Sequence, residues 1–144
     1  MNYDKIDGYL VDIFNNVVII EEASLKNSKF NDISLKEMHT IDVIGTHPDT
    51  TPSAVAKELM LTLGNVTTSL NKLEKKGYII RTRSSVDRRV VHLSLSKKGR
   101  LVYRLHRAFH KSMVKTITEG FNDEELKVMS KGLENLHAFL EELK

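Results

Sequence analysis

Polar side chains that could hydrogen-bond a nucleic acid cluster on one short predicted helix. Thr62 is its expected N-cap, and Val66, Leu70 and Leu73 recur at three- and four-residue spacing as its buried face. The opposite face carries groups able to contact base edges or phosphates, namely Asn65, Thr67, Thr68, Ser69, Asn71 and Lys72. Taken alone, this face is more typical of a solvated helix surface than of a binding surface.

A second group of candidate residues follows on a predicted β-hairpin. The run from Tyr78 to Arg83 favours one strand, and the alternation from Val91 to Leu95 favours another. Asp87, in the turn region, is placed to orient an arginine by a charge-assisted hydrogen bond. Arginine on a protruding ribbon suits the narrow minor groove of DNA. The candidate contacts on this hairpin are Arg81, Arg83, Asp87, Arg88 and Arg89.

The charge of the chain is unevenly distributed. Between Lys72 and Lys111 there are thirteen Lys or Arg residues and only two acidic ones, whereas the whole chain has 22 basic and 19 acidic residues. Such segregation creates a positive field that attracts polyanions. A solvated basic face without function is the alternative, and the surrounding motifs favour double-stranded DNA as the partner.

Capping signals predict the elements that position these residues. Ser34 with Glu37 forms a capping box that starts one helix, which ends near Pro48. Thr51 with Pro52 starts a short helix to about Met60, which would bury Val55, Ala56 and Leu59. Together with the helix that Thr62 caps, it predicts a helix-turn-helix, and a basic hairpin directly after it predicts a wing.

Long apolar helices flank this unit. The first runs from about Tyr3 to Lys26, although its segment Val17 to Ile20 could form a strand, and another runs from Lys97 to about Glu119. In the last helix, which Asn122 caps, leucines and a methionine recur at coiled-coil spacing, which predicts a homodimer. The predicted dimerisation residues are Ile6, Leu10, Ile13, Leu126, Met129, Leu133, Leu136 and Leu140. Residues 1–30 and 97–144 would form a helical dimerisation lobe, and residues 31–96 a winged helix-turn-helix DNA-binding lobe.

Composition excludes several classes of function. With no cysteine, the chain has no disulfide, thiolate metal site or cysteine nucleophile. Its sequence shows neither a secretory signal nor an apolar run of about 20 residues, so we expect a cytoplasmic protein that does not bind membranes. Enzyme motifs and cofactor motifs are absent from the sequence, so neither catalysis nor a cofactor is predicted. We predict no metal site either, although His106 with His110, or His39 with Asp42 or His47, could share an ion.

The sequence resembles the MarR family. The resemblance covers nearly the whole chain and is carried by Leu59 to Gly77, ending in Leu-Glu-Lys-Lys-Gly, and by Asp87 to Gly99, which is similar to the wing signature of the family. It implies a mainly α fold with a small β-hairpin wing, a winged helix-turn-helix with a helical dimerisation lobe. It also implies that Asp87 and Arg89 are the Asp-x-Arg wing positions, with Arg89 or Arg88 reaching the minor groove.

Within the family, the stretch from Phe14 to Thr46 resembles repressors of type II fatty acid synthesis. This implies repression of fatty acid synthesis genes with a long-chain acyl group on acyl carrier protein as corepressor. The basic residues Arg104, Arg107 and Lys111 could meet the acidic carrier. The alternatives are a regulator that responds to a small phenolic or lipophilic effector or to a metal, and an architectural protein that coats DNA without sequence preference.

Overall fold

Capping residues begin most helices of this chain where the sequence predicts them. In the computed structural model, which describes residues 2–144, the elements are α1 (Tyr3–Lys26), α2 (Leu35–Thr46), α3 (Pro52–Leu59), α4 (Leu63–Lys75), β1 (Ile79–Arg83), β2 (Val91–Leu95), α5 (Lys97–Thr118) and α6 (Asp123–Glu142). The side chains of Thr51, Thr62 and Ser96 accept hydrogen bonds from backbone amides of the first turns of α3, α4 and α5. Asn122 and Glu125 form a reciprocal capping box at α6. The mainly α fold with a β-hairpin wing is therefore confirmed.

The segment Val17 to Ile20 is helical, as the long helical pattern of α1 predicts. Two other local predictions need correction. Helix α3 ends at Leu59, because Met60 has a left-handed backbone with φ of 54° that closes the helix, and Leu59 is only half-buried. Strand β1 begins at Ile79, because the amide of Tyr78 donates to the carbonyl of Leu73, 2.9 Å away, and so belongs to the turn that ends α4.

Contacts within the chain divide it into two units, the first ending at His39 and the second spanning Thr40–Lys144. In the first unit, Ser34 Oγ accepts from the amide of Glu37, 3.1 Å away, and so caps α2. Leu25, Phe30 and Ile33 are buried apolar side chains of this unit.

The core of the second unit lies among α2, α3, α4, the hairpin and the start of α5. Its fully buried side chains are Thr40, Ile41, Val55, Val66, Leu70, Leu73, Tyr78, Leu93 and Val102. The strands pair antiparallel, with Ile79 opposite Leu95 and Arg83 opposite Val91. The register places Arg81 and Arg83 on the same face as Ile79, opposite Leu93 and Val91. Burial along this face decreases from Ile79, which is buried, through Arg81, which is half-buried, to Arg83, which is exposed beside the turn.

An ionic cluster joins the end of α6 to α3 within the second unit. Lys144 Nζ lies 2.7 Å from Glu141 Oε1 and 3.0 Å from Glu58 Oε1. The hydrogen bonds that Lys144 donates to Glu141 and then to Glu58 raise the pKa of Lys144, and the one to Glu141 lowers the pKa of Glu141. We call Glu58, Glu141 and Lys144 the C-terminal ionic cluster.

Among the described residues 2–144, no helix has both the length and the apolar character needed to cross a membrane.

Candidate nucleic-acid interface

Helix α4 presents its polar face to solvent. Its buried side holds Val66, Leu70 and Leu73, as the spacing predicts. Of the six candidate residues on the opposite side, Ser69 is half-buried and the others, Asn65, Thr67, Thr68, Asn71 and Lys72, are exposed. The Thr68 hydroxyl donates to the carbonyl of Gly64, 3.0 Å away, so its remaining capacity toward a ligand is as an acceptor.

Arg81 ties the wing to α4. Its Nη2 donates to Asn71 Oδ1, 2.8 Å away, and its Nε lies 3.9 Å from Glu74 Oε2. Arg81 is half-buried, and the side-chain oxygen of Asn71 accepts its hydrogen bond. The structure therefore places Arg81 and Asn71 together as a brace, a contact that sequence spacing did not predict.

The turn of the hairpin holds Arg89 in a defined orientation. Arg89 Nε and Nη2 lie 3.1 and 3.2 Å from the two carboxylate oxygens of Asp87, and the Arg89 amide also donates to Asp87 Oδ1. The hydrogen bonds from the Arg89 side chain and then from the Arg89 backbone amide lower the pKa of Asp87. The Arg89 side chain is 91% exposed. The predicted charge-assisted bond of Asp87 is thus present, and it leaves Arg89 projecting into solvent.

Two further arginines complete the basic hairpin. Arg83 Nη1 donates to the carbonyl of Arg88, 3.0 Å away, across the mouth of the turn. The Arg88 side chain is exposed, and so is Val86, which is 95% exposed. The wing therefore offers Arg88 and Arg89 as outward cations, while Arg81 and Arg83 are engaged within the hairpin and with α4.

Backbone contacts far apart in sequence anchor the wing. The amide of Leu93 donates to the carbonyl of Thr50, 2.8 Å away, and His92 Nδ1 lies 2.9 Å from the carbonyl oxygen of Asp49. Ser96 Oγ donates to the carbonyl of Gly77, 2.6 Å away. Sequence analysis missed Thr50, His92 and Ser96 as residues that position the wing, because only Ser96 has a local signal, as a helix cap.

The candidate dimerisation residues form apolar surface in the single chain. In the first unit, Ile6 and Ile13 are exposed and Leu10 is half-buried. In the second unit, Leu126, Leu133 and Leu140 of α6 are exposed, and Met129 and Leu136 are half-buried. Large exposed apolar surface of this kind marks an interaction site.

The three candidate carrier-protein residues differ in their surroundings. Arg107 is engaged, with Nη2 donating to Thr46 Oγ1, 2.7 Å away, and Nε 3.7 Å from Asp42 Oδ1. Arg104 and Lys111 are exposed. Arg104 also lines a cavity of about 370 Å³ beside α5, together with Tyr103. Arg104 and Lys111 are therefore better placed than Arg107 to meet a partner.

Comparisons with known proteins agree with this geometry. The model of the MarR family matches residues 33–91. The HTH-type transcriptional regulator PchR of Bacillus subtilis is 31% identical over 111 residues, which are 75% of this chain and 66% of that protein. The HTH-type transcriptional regulator YwhA of the same bacterium is 33% identical over 69% of this chain and 73% of its own length.

Known structures extend the similarity to the whole chain. The crystal structure of Streptococcus pneumoniae FabT in complex with DNA is 65% identical, covers 99% of this chain and 100% of that one, and superposes with a TM-score of 0.90. The Staphylococcus aureus MepR–DNA complex has a TM-score of 0.72 at 21% identity, and this level of identity shows the fold alone. The predicted resemblance to fatty acid synthesis repressors is confirmed by the similarity to FabT. The relatives are transcriptional regulators, and this chain is not an enzyme. It belongs to the MarR family of transcriptional regulators.

Proposed function

We propose that this protein is a homodimeric repressor that binds a pseudo-palindromic site on double-stranded DNA and regulates fatty acid synthesis genes. The observation that supports this most is the 65% identity to S. pneumoniae FabT, whose structure contains DNA, over 99% of this chain. At this identity and coverage, and with a TM-score of 0.90, the two chains share one fold.

The two candidate surfaces divide the reading of DNA between them. The exposed polar face of α4 reads base edges in the major groove, and the outward Arg88 and Arg89 of the wing enter the flanking minor groove. In a dimer the two recognition helices bind half-sites about 34 Å apart on one face of the duplex. Two copies of the chain are thus needed to read one operator.

The DNA-binding lobe comprises residues 31–96 and the dimerisation lobe residues 1–30 and 97–144. The exposed leucines of α6 support a subunit contact in the dimerisation lobe, because they leave an apolar seam that a second copy would cover. A ligand that fits better at the DNA-binding separation of the two recognition helices strengthens repression through its differential affinity for the two states.

Long-chain acyl groups on acyl carrier protein act as the corepressor in this proposal. The exposed cations Arg104 and Lys111 are suited to an acidic carrier, since complementary charges steer such encounters. Arg107 contributes less, because Asp42 and Thr46 already engage its guanidinium.

Fluorescence anisotropy tests the proposal. We expect tight binding to a labelled palindromic duplex from a fatty acid synthesis promoter, weaker binding to random DNA, and a further tightening of about fivefold or more with long-chain acylated carrier. Unacylated carrier should have no effect. Specific binding that does not change with acylated carrier would support the repressor function and refute this corepressor. Binding without site preference would favour the architectural alternative.

A charge-reversal pair checks the carrier surface. Arg104→Glu combined with Lys111→Glu should abolish the tightening by acylated carrier while leaving affinity for the operator alone within about twofold. Lys131→Glu, an exposed lysine of α6, is the matched control and should keep the tightening.

A further inference from the structure

Two histidines of α5 lie with their Nε2 atoms within hydrogen-bonding distance of each other. His106 and His110 are four residues apart and therefore lie on one face of the helix. Their Nε2 atoms are 3.1 Å apart, and their ring centroids are 4.4 Å apart with an interplanar angle of 81°. At this distance the two nitrogens can share one proton in a hydrogen bond, with the tautomers setting the donor, and a bound ion would take the place of that proton.

This separation fits the requirements of a tetrahedral metal ion. Two imidazole nitrogens bound at about 2.0 to 2.1 Å with a tetrahedral angle lie about 3.4 Å apart. The observed separation is shorter by a few tenths of an ångström, which small rotations of the side chains accommodate. The two imidazole nitrogens are therefore already separated by about the distance that a chelated ion requires.

Packing holds the two rings in place. His106 is buried, with 8% of its surface exposed, and His110 is half-buried. The ring of Phe109 lies edge-on to that of His110, with centroids 5.5 Å apart. Restricted side chains lose little further conformational entropy on binding a ligand, which is the basis of a preorganised site.

We propose that His106 and His110 form a binding site for a divalent transition-metal ion of the zinc class. Imidazole nitrogen suits Zn²⁺, Ni²⁺ and Cu²⁺, whereas Mg²⁺ and Ca²⁺ prefer oxygen ligands. The pair supplies two ligands, and water or other donors fill the remaining positions. The site lies on α5, apart from the DNA-reading residues of α4 and the wing, so it stands whether or not the proposed repressor function holds.

Titration of the full-length protein with zinc tests the site. After treatment with a chelator and its removal, calorimetry should show one Zn²⁺ bound per chain. Because each histidine is a direct ligand, His106→Gln and His110→Gln should each weaken this binding by about tenfold or more. His47→Gln is the matched control, since His47 Nδ1 contacts the carbonyl oxygen of Val43 outside the pair, and it should bind as the wild type does. Absence of saturable binding, or unchanged binding in both α5 variants, would overturn the proposal.

A second measurement keeps the test decisive if a variant fails to fold. Circular dichroism melting shows whether each variant is folded. X-ray absorption on zinc-loaded wild-type protein then needs no variant at all. Scattering from two imidazoles around the ion is the expected result, and a coordination shell without imidazole would refute the site.

Discussion

Arg89 and Arg81 carry the same charge on the same hairpin, yet their surroundings give them different tasks. Asp87 grips the guanidinium of Arg89 but leaves its side chain 91% exposed. Arg81 is half-buried and donates to Asn71 of α4. Arg89 is therefore accessible to a ligand, whereas Arg81 connects the wing to the recognition helix. A count of charges does not distinguish these two roles.

Removing the outward cation should weaken DNA binding without changing sequence preference. Arg89→Ala deletes a contact to phosphate or the minor groove, so affinity should fall on operator and random duplexes by similar factors, and the salt dependence should become shallower. Fluorescence anisotropy at several salt concentrations measures both. Lys131→Ala, which removes an exposed cation of α6, is the control.

Residues of α4 should behave in the opposite manner. Asn65→Ala or Thr68→Ala should reduce discrimination by about 1 to 3 kcal/mol at particular base pairs while changing affinity for random DNA little. The same anisotropy assay with single base-pair changes in the operator measures this. Equal losses on operator and random DNA for these variants and for Arg89→Ala would refute the division between base reading and backbone contact.

At the scale of elements, local signals predicted most of the chain. Helix starts follow from caps such as Thr51, Thr62 and Ser96, whose hydrogen bonds involve neighbours in sequence. The errors lie at the ends of elements. The left-handed backbone of Met60 ends α3, and the hydrogen bond from the Tyr78 amide delays the start of β1, and composition reveals neither. In the candidate site, local patterning predicted the exposed face of α4 and the pairing of Asp87 with an arginine.

Contacts between distant segments account for what the sequence could not predict. The bond from the amide of Leu93 to the carbonyl of Thr50 links residues 43 positions apart, and backbone groups carry no sequence signature. The brace between Arg81 and Asn71 depends on how β1 approaches α4. The engagement of Arg107 by Asp42 and Thr46 likewise appears only once α2 and α5 are in place.

The junction between the wing and α5 predicts a sensitive position. Gly99 is buried in the first turn of α5, and a Cβ added there would clash with the carbonyl oxygen of Tyr78, which accepts a hydrogen bond from the amide of Ser96. Gly99→Ala should therefore lower the free energy of unfolding by about 1 to 3 kcal/mol. Chemical denaturation at constant protein concentration measures the change.

A second glycine supplies the control for that measurement. Gly132 lies within α6, and nothing in the chain lies within 4 Å of a Cβ placed there. Gly132→Ala should stabilise the protein by up to about 1 kcal/mol through its higher helix propensity. If Gly99→Ala were as harmless as Gly132→Ala, the proposed clash would be wrong.

At the scale of the whole molecule, exposed leucines on α6 point to a second copy of the chain. Leu133, which belongs to the predicted seam, is 52% exposed in the single chain. Leu133→Asp should convert the dimer to a monomer, because a charge would be buried at the interface without a partner. Sedimentation velocity measures the mass, and affinity for the full palindrome should fall by two orders of magnitude or more, to about that for a single half-site.

The polar face of the same helix provides the comparison. Lys131→Asp alters charge on α6 outside the leucine seam, so the protein should remain dimeric and keep its affinity for the palindrome. A Leu133→Asp protein that still sediments as a dimer would place the subunit interface elsewhere.

The C-terminal ionic cluster closes the chain from α3 to α6 into a ring. The covalent chain connects Glu58 to Lys144 in one direction, and their ion pair connects them in the other. Salt screens such a solvent-accessible pair. Rising ionic strength should therefore act on this protein twice, by weakening its attraction to phosphates and by weakening the ion pair that links Lys144 to α3.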